Sequence, residues 1–94
     1  MAYAFKFNEE KNQLLKATRW VSFEDVLKIL KNKELLDSQK HPNQKAYIIK
    51  IKEYVYFVPY VVDVEKQEIF LKTIYPSRKL TKFYWRRGKN EKKN

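Results

Sequence analysis

Residues 46–75 read AYIIKIKEYVYFVPYVVDVEKQEIFLKTIY, and this stretch decides the fold. It contains three segments rich in β-branched and aromatic residues, with short polar turns between them: Ala46–Lys52, Val55–Val64 and Glu68–Tyr75. This composition and spacing predict three consecutive strands of an antiparallel meander. Proline has no N–H to donate to a strand ladder, so Pro59 predicts an edge, a bulge or a kink in the middle strand.

The sequence before the meander begins with a strand and a helix. Aromatic residues alternate with others over residues 3–7, which is the pattern of a half-buried strand. Asn8 is suited to cap the helix that follows. We expect this first helix to run to about Thr18 and to bury Leu14 and Leu15.

A second helix has a better-marked start, because Ser22 and Asp25 have the spacing of a capping box. Its apolar residues recur at positions i, i+3, i+4 and i+7 and predict one face packed on a sheet: Phe23, Val26, Leu27 and Leu30. The polar, proline-containing segment 37–44 predicts a loop.

After the last strand, Pro76 and Ser77 mark the start of a short basic helix, in which Leu80 and Phe83 have the spacing of core residues. Residues 88–94 predict a disordered basic tail. The predicted fold class is therefore α+β, in the order β-α-α-β-β-β plus a short C-terminal helix. We expect a small antiparallel sheet with helices packed on one face, in a single domain over residues 1–87.

The amino-acid composition limits the classes of partner and of active site that the chain can have. The 94-residue chain has a net charge of +10 and a pI near 9.8, so nucleic acid is the leading class of partner. An anionic membrane or an acidic protein is the alternative. The absence of cysteine excludes disulfides and thiolate metal sites and favours the cytoplasm. His41 is the only histidine, so paired-histidine nuclease and zinc sites are excluded; we expect no metal and no cofactor.

The excess positive charge is concentrated near the C-terminus, where residues 72–94 hold nine basic side chains against Glu91 alone. If Ser77 caps a helix, its free backbone N–H groups lie beside Arg78 and Lys79, an arrangement that binds anions. The alternative is a solvated basic helix start with no ligand.

Aromatic residues alternate with these bases and predict a surface for single-stranded RNA, in which rings stack on bases and cations hold the backbone. Tyr84 and Trp85 are equal candidates for stacking, since Leu80 and Phe83 are assigned to the core. The other candidate RNA-binding residues are Lys82, Arg86, Arg87, Lys52, Arg19 and His41.

Three motifs lie in the same order as in a known family. FKFNEEKN begins at Phe5, VSFED spans Val21–Asp25, and YPSRKLTK spans Tyr75–Lys82. Together they resemble the BrnT-type toxins of type II toxin–antitoxin pairs, which are small basic proteins with a RelE-like ribonuclease fold. The chain departs from that family at Thr18-Arg19-Trp20, where Lys-His-Gly is usual, so no histidine is available there.

The resemblance implies a RelE-like fold and a metal-independent endoribonuclease that cleaves mRNA, free or on the ribosome, and so inhibits translation. The 2′-hydroxyl attacks the adjacent phosphate and leaves a 2′,3′-cyclic phosphate and a 5′-hydroxyl. In this interpretation Arg78 stabilises the phosphorane, Lys79 or Lys72 supports it, and Tyr75 or Tyr84 transfers a proton or stacks on a base.

The implied partners are RNA and a cognate antitoxin with a ribbon-helix-helix DNA-binding domain, through which operator DNA is reached. The alternative is a non-catalytic RNA- or ribosome-binding module that uses the same basic and aromatic surface. A third interpretation is a protein-binding component whose cationic segment docks an acidic partner.

Overall fold

A mixed β-sheet forms the centre of the molecule. The structure is a computed structural model that describes the backbone of residues 3–41 and 44–93 and the side chains of residues 3–40 and 44–85. In chain order the elements are β1 (Ala4–Phe7), α1 (Glu9–Arg19), α2 (Phe23–Lys31), β2 (Asp37–His41), β3 (Gln44–Ile51), β4 (Tyr54–Asp63), β5 (Glu68–Leu71), β6 (Tyr75–Pro76) and α3 (Arg78–Lys93).

The described strands are ordered β1-β5-β4-β3-β2, and β6 pairs with β4 beyond the end of β5. The predicted meander is confirmed, because β3, β4 and β5 pair antiparallel in sequence. The expectation of a purely antiparallel sheet is wrong, because β1 pairs with β5 in parallel. A parallel pair needs a long crossover connection, and here everything between β1 and β5 supplies it.

The segment predicted as a loop over residues 37–44 contains a strand instead. β2 pairs antiparallel with β3, with Gln39 opposite Ala46. Its polar residues lack the alternation that marks a half-buried strand, so only the pairing with β3 defines it. A polar strand at an edge is also less prone to join strands of another molecule.

Helices α1 and α2 begin after the capping residues that the sequence predicts, Asn8 and Ser22. Asn8 Oδ1 accepts a hydrogen bond from the Lys11 amide at 2.9 Å. Ser22 and Asp25 form the reciprocal capping box, with side-chain-to-backbone distances of 3.2 and 3.0 Å. Because a cap satisfies N–H groups that have no partner within the helix, these residues fix where α1 and α2 begin.

The first helix buries a different residue from the one expected. Leu15 is buried, but Leu14 is 57% exposed, and the polar Asn12 is fully buried in its place. The helix ends where Trp20 adopts a left-handed conformation with φ 57°. This conformation is uncommon for a residue with a bulky side chain.

The core lies on the sheet face covered by α1 and α2, which we call the core face. Helices α1 and α2 and the segment between them contribute Leu15, Val21, Phe23 and Val26. The sheet side contributes Ile49, Val58, Tyr60, Leu71 and Ile74. Residues of alternate parity point to the opposite side of the sheet, which we call the outer face. No helix within the described residues is long and apolar enough to cross a membrane.

Helix α3 is not part of that core. It contacts β4, and its start is joined to Val55, a buried residue of the outer face. The expectation that the helices pack on one face is therefore wrong for α3. Leu80 is half-buried and Phe83 is 51% exposed, so Phe83 is not a core residue. The helix continues to Lys93, past the expected domain end at Arg87.

Pro59 lies at a bulge, one of the three arrangements that its missing N–H predicted. Along one edge of β4, Phe57 pairs with Tyr75 and Tyr60 with Leu71. Two residues of β4 therefore face three residues, 72–74, on the neighbouring strand. The Lys72 amide donates to Pro59 O at 2.9 Å, but Pro59 has no N–H to return that bond. An unpaired position of this kind lets the neighbouring strand bend and separates β5 from β6.

Candidate nucleic-acid interface

The outer face consists of cross-strand rows along β4, which we name by their β4 residue. The strand pairing places most residues in their rows. Lys72 is placed by its hydrogen bond to Pro59. Gln44 lies opposite Val61, because it precedes Lys45, which pairs with Tyr60. The rows are Lys50–Val55, then Ile48–Phe57–Tyr75, then Ala46–Pro59–Lys72, then Gln44–Val61–Phe70–Lys6, and last Asp63–Glu68–Ala4. Successive rows are about 7 Å apart, which is two residues of a strand.

The junction of β6 and α3 is held to the start of β4. Ser77 donates its amide to Val55 O at 3.0 Å, and its hydroxyl accepts from the Leu80 amide at 3.2 Å. Thr81 Oγ1 accepts from the Val55 amide at 2.9 Å and donates to Ser77 O at 2.7 Å. This network satisfies backbone groups at the strand end and the helix start together, so it fixes the direction in which α3 leaves the sheet.

Arg78 and Lys79 lie in the first turn of α3, and both side chains are exposed. The first turn contains no acidic residue. Two cations at the positive end of a helix dipole are unfavourable for the isolated helix, by about 0.3–1 kcal/mol each. A bound phosphate would be attracted both by the cations and by the free N–H groups of the helix start.

Tyr75 reaches the same region from the sheet. It is 37% exposed, and its ring lies 5.3 Å from that of Phe57, centroid to centroid. The residue that follows it pairs with β4, because Pro76 lies opposite Tyr56. Tyr75 is therefore fixed two residues before the cap of α3, on the outer face.

Lys72 shares this face with Tyr75 but lies one row away. Its exposed side chain lines a shallow hollow of about 190 Å³ at the Pro59 and Val61 rows. The hollow is lined by Gln44, Lys45, Pro59, Tyr60, Val61, Val62 and Lys72. The structure thus brings Lys72 and Tyr75 to one face, and the bulge separates them along the chain.

Arg19 approaches from the other side of the sheet. Its Nη1 donates to Ile74 O at 2.7 Å, so α1 is bonded to the last residue of the bulge. Nearby on the core face, Tyr54 and Tyr56 contact edge to face at 5.8 Å. Burial and then Tyr54 raise the pKa of Tyr56, while the charge of Arg19 opposes that rise. Arg19 therefore supports the bulge and does not share the outer face with Tyr75.

The remaining candidates are spread along α3 and the turns. Lys82 is exposed, and Lys52 is exposed in the β3–β4 turn with φ 59°. Tyr84 is half-buried, with its ring edge-to-face to Phe83 at 5.1 Å, and Trp85 is 63% exposed. The side chains of three further candidates lie outside the described residues: Arg86, Arg87 and His41.

The face is not uniformly basic. Three lysines of the rows point outward, Lys6, Lys50 and Lys72, but Asp63 and Glu68 face each other in the row nearest the β4–β5 turn. Positive charge therefore increases from that turn toward the start of α3. Among the described residues, no group of His, Asp and Glu side chains is arranged to hold a metal ion.

Sequence reasoning missed two exposed apolar residues of this face, Val61 and Phe70, which are 49% and 42% exposed and pair across β4 and β5. The sequence EIFL could have identified Phe70, because neighbouring residues of a strand point to opposite faces and Leu71 lies in the core. It also missed Asn12, whose burial depends on where α2 begins.

Comparison with known proteins finds no match for the chain among family models, curated proteins or solved structures.

Proposed function

We propose that this protein is the toxin of a type II toxin–antitoxin pair: a RelE-like, BrnT-type endoribonuclease that cleaves mRNA without a metal and so inhibits translation. The observation that carries the proposal is the junction of β6 and α3. There Tyr75, Arg78 and Lys79 lie within one strand end and one helix turn, beside free helix N–H groups. The element order and the three motifs quoted above support the same assignment.

The chemistry requires a proton acceptor, a proton donor and a cation near one phosphate. The 2′-oxygen forms a bond to phosphorus while the bond from phosphorus to the 5′-oxygen breaks, and one proton moves from the 2′-hydroxyl to the leaving oxygen. Arg78 and the N–H groups of the helix start would stabilise the charge that develops on the phosphorane oxygens. Lys79, in the same turn, fits the supporting role more closely than Lys72, which lies in the Pro59 row.

Tyr75 is the phenol available at this position, because its ring is fixed against Phe57 and its side chain is partly exposed. It would deliver or relay the proton. The antitoxin, in this proposal, covers the same cationic surface and contains the DNA-binding domain.

The test replaces Arg78 with alanine and measures growth arrest on expression. Arg78→Ala should abolish the arrest with an unchanged thermal unfolding midpoint, because the side chain is exposed and no described residue accepts a hydrogen bond from it. Lys31→Ala is the matched control, since it removes an exposed charge from the end of α2, away from the junction. Persistent arrest in a folded Arg78→Ala protein would contradict the assigned role.

One observation favours the second candidate, a non-catalytic RNA- or ribosome-binding module. Within the described residues no hydrogen bond holds the exposed side chain of Arg78 or of Lys79, whereas catalysis benefits from groups fixed before the reaction. Incubation of the purified protein with mRNA, alone and with ribosomes, separates the two. Binding without new cyclic-phosphate ends would support the module.

A further inference from the structure

The half of the outer face near the β4–β5 turn remains open. The half near the β3–β4 turn is shielded, since Ile48 and Val55 are 1% and 3% exposed where α3 contacts β4. Two rows beyond the row of Ile48 and Phe57, Val61 and Phe70 are 49% and 42% exposed. The outer face therefore changes from a covered region to an apolar surface in contact with solvent.

The open region combines three kinds of group. Val61 and Phe70 provide a flat apolar surface, and Phe70 has a lysine on two sides: Lys6 across the parallel pair with β1 and Lys72 two residues along the chain. The hollow of about 190 Å³ adjoins it, with Pro59 and the exposed amide side chain of Gln44 in its lining. A concavity with both polar and apolar groups in its lining, next to an exposed aromatic ring, is a candidate ligand site.

We propose that this region, defined by Lys6, Gln44, Pro59, Val61, Phe70 and Lys72, binds one unpaired nucleotide of a single-stranded RNA. The base stacks on the Phe70 ring, beside Val61. The ammonium groups of Lys6 and Lys72 contact the flanking phosphates, and the Gln44 amide forms a hydrogen bond with the edge of the base. This inference rests on the proposed function for the identity of the polyanion. It adds a binding site whose stacking residue, Phe70, lies in a row about 14 Å along β4 from the row of Tyr75.

The charges argue for RNA over an apolar protein segment. An exposed aromatic ring between two ammonium groups suits a base with its phosphates, whereas a protein helix would place apolar side chains against the lysines. The next row, Asp63 and Glu68, repels phosphates. The subsite is therefore the end of the RNA-binding surface, and the strand continues from it toward Tyr75 and α3.

The experiment measures binding of the full-length protein to a fluorescent single-stranded RNA oligonucleotide that is 2′-O-methylated throughout and so cannot undergo 2′-hydroxyl attack. Phe70→Leu keeps an apolar side chain but removes the ring, and should weaken binding about 5- to 150-fold, the usual loss for one stacked base. Phe70→Tyr keeps the ring and should bind as the wild type does. Leu14→Ala, an exposed apolar residue on α1, is the matched control and should change nothing.

Salt dependence tests the lysine contact separately. Lys6→Gln should lower the slope of log affinity against log salt by about 0.7, the value for one phosphate contact with a single strand. Equal thermal unfolding midpoints establish that each variant is folded. Wild-type affinity in folded Phe70→Leu, or an unchanged slope in Lys6→Gln, would overturn the subsite; the first result would fit a surface that docks a protein instead.

The outcomes for the subsite and for catalysis are distinct. If the wild type binds methylated RNA but cleaves no unmodified RNA, and Phe70→Leu binds more weakly, the subsite stands and the endoribonuclease proposal fails. If the wild type cleaves RNA and Phe70→Leu binds as tightly as the wild type, the subsite fails and the proposed activity stands.

Discussion

Replacing the small, buried residue Asn12 should lower the stability of the protein substantially. Its side chain is fully buried between the two N-terminal helices. Asn12 Oδ1 accepts a hydrogen bond from the Phe23 amide at 2.8 Å, and Nδ2 donates to the Glu24 carboxylate oxygens at 2.9 and 3.1 Å. One amide thus links the second turn of α1 to the start of α2. Asn12→Ala removes all three contacts.

The expected cost follows from what each contact leaves behind. The Phe23 amide lies in the first turn of α2, so without Asn12 it has no partner within the helix and is buried unpaired, which costs about 1–3 kcal/mol. Glu24 is solvent-exposed, and water can replace its bonds at small cost. We expect the free energy of unfolding to fall by about 2–3 kcal/mol, and the thermal midpoint to fall by roughly 10–20 °C for a domain of this size.

Chemical denaturation of Asn12→Ala and Asn8→Ala measures this directly, because both variants make the same chemical change. Asn8 is an exposed cap with one hydrogen bond to the Lys11 amide, so its loss should cost about 1 kcal/mol. Equal losses in the two variants would refute the argument that burial of the unpaired amide sets the magnitude.

Three further predictions concern pH and the bulge. The hydrogen bond from Asn12 lowers the pKa of Glu24 below 4.5, so the stabilisation is present above pH 4.5 and is lost as pH falls through the folded value; Asn12→Ala should show a weaker acid dependence of unfolding. Burial raises the pKa of Tyr47 from 10.0 to about 12, so stability should fall as pH rises from 10 to 12, and Tyr47→Phe should reduce that fall in denaturation curves. Arg19→Ala removes the 2.7 Å bond to Ile74 O and should lower the free energy of unfolding by about 1–2 kcal/mol, with partial recovery in Arg19→Lys.

Local signals in the sequence predicted the elements that depend only on neighbouring residues. The capping box at Ser22 and Asp25 uses residues three positions apart, and the meander uses strands joined by short turns. Pro59 predicted an edge, a bulge or a kink, because its missing N–H is a property of the residue itself, and a bulge is found there. All three predictions could be made without knowing how distant segments meet.

Features that depend on distant partners could not be predicted in this way. The polar strand β2 exists through its pairing with β3, and the parallel direction of β1 follows from its place beside β5. Asn12 is buried because α2 begins against it. Leu14 is exposed because the face of α1 that packs on the core is the one that contains Asn12 and Leu15.

The candidate site shows the same division. The run from Tyr75 to Lys79 could be identified from sequence because all its members lie within one strand end and one helix turn. The separation of Arg19 from that run by the sheet, and the position of Lys72 in the next row, depend on register and on the extra residue of the bulge. Phe70 became a candidate only when its cross-strand neighbours were known.

The most direct test of the proposed activity is the chemistry of the RNA ends. Purified protein is incubated with mRNA alone in the presence of a chelator and, separately, with mRNA and ribosomes in magnesium buffer. The products are examined for 2′,3′-cyclic phosphate and 5′-hydroxyl termini. The proposal predicts new cyclic-phosphate ends with the wild type and with Lys31→Ala, and none with Arg78→Ala. RNA that is bound but left intact by the wild type in both settings would contradict it.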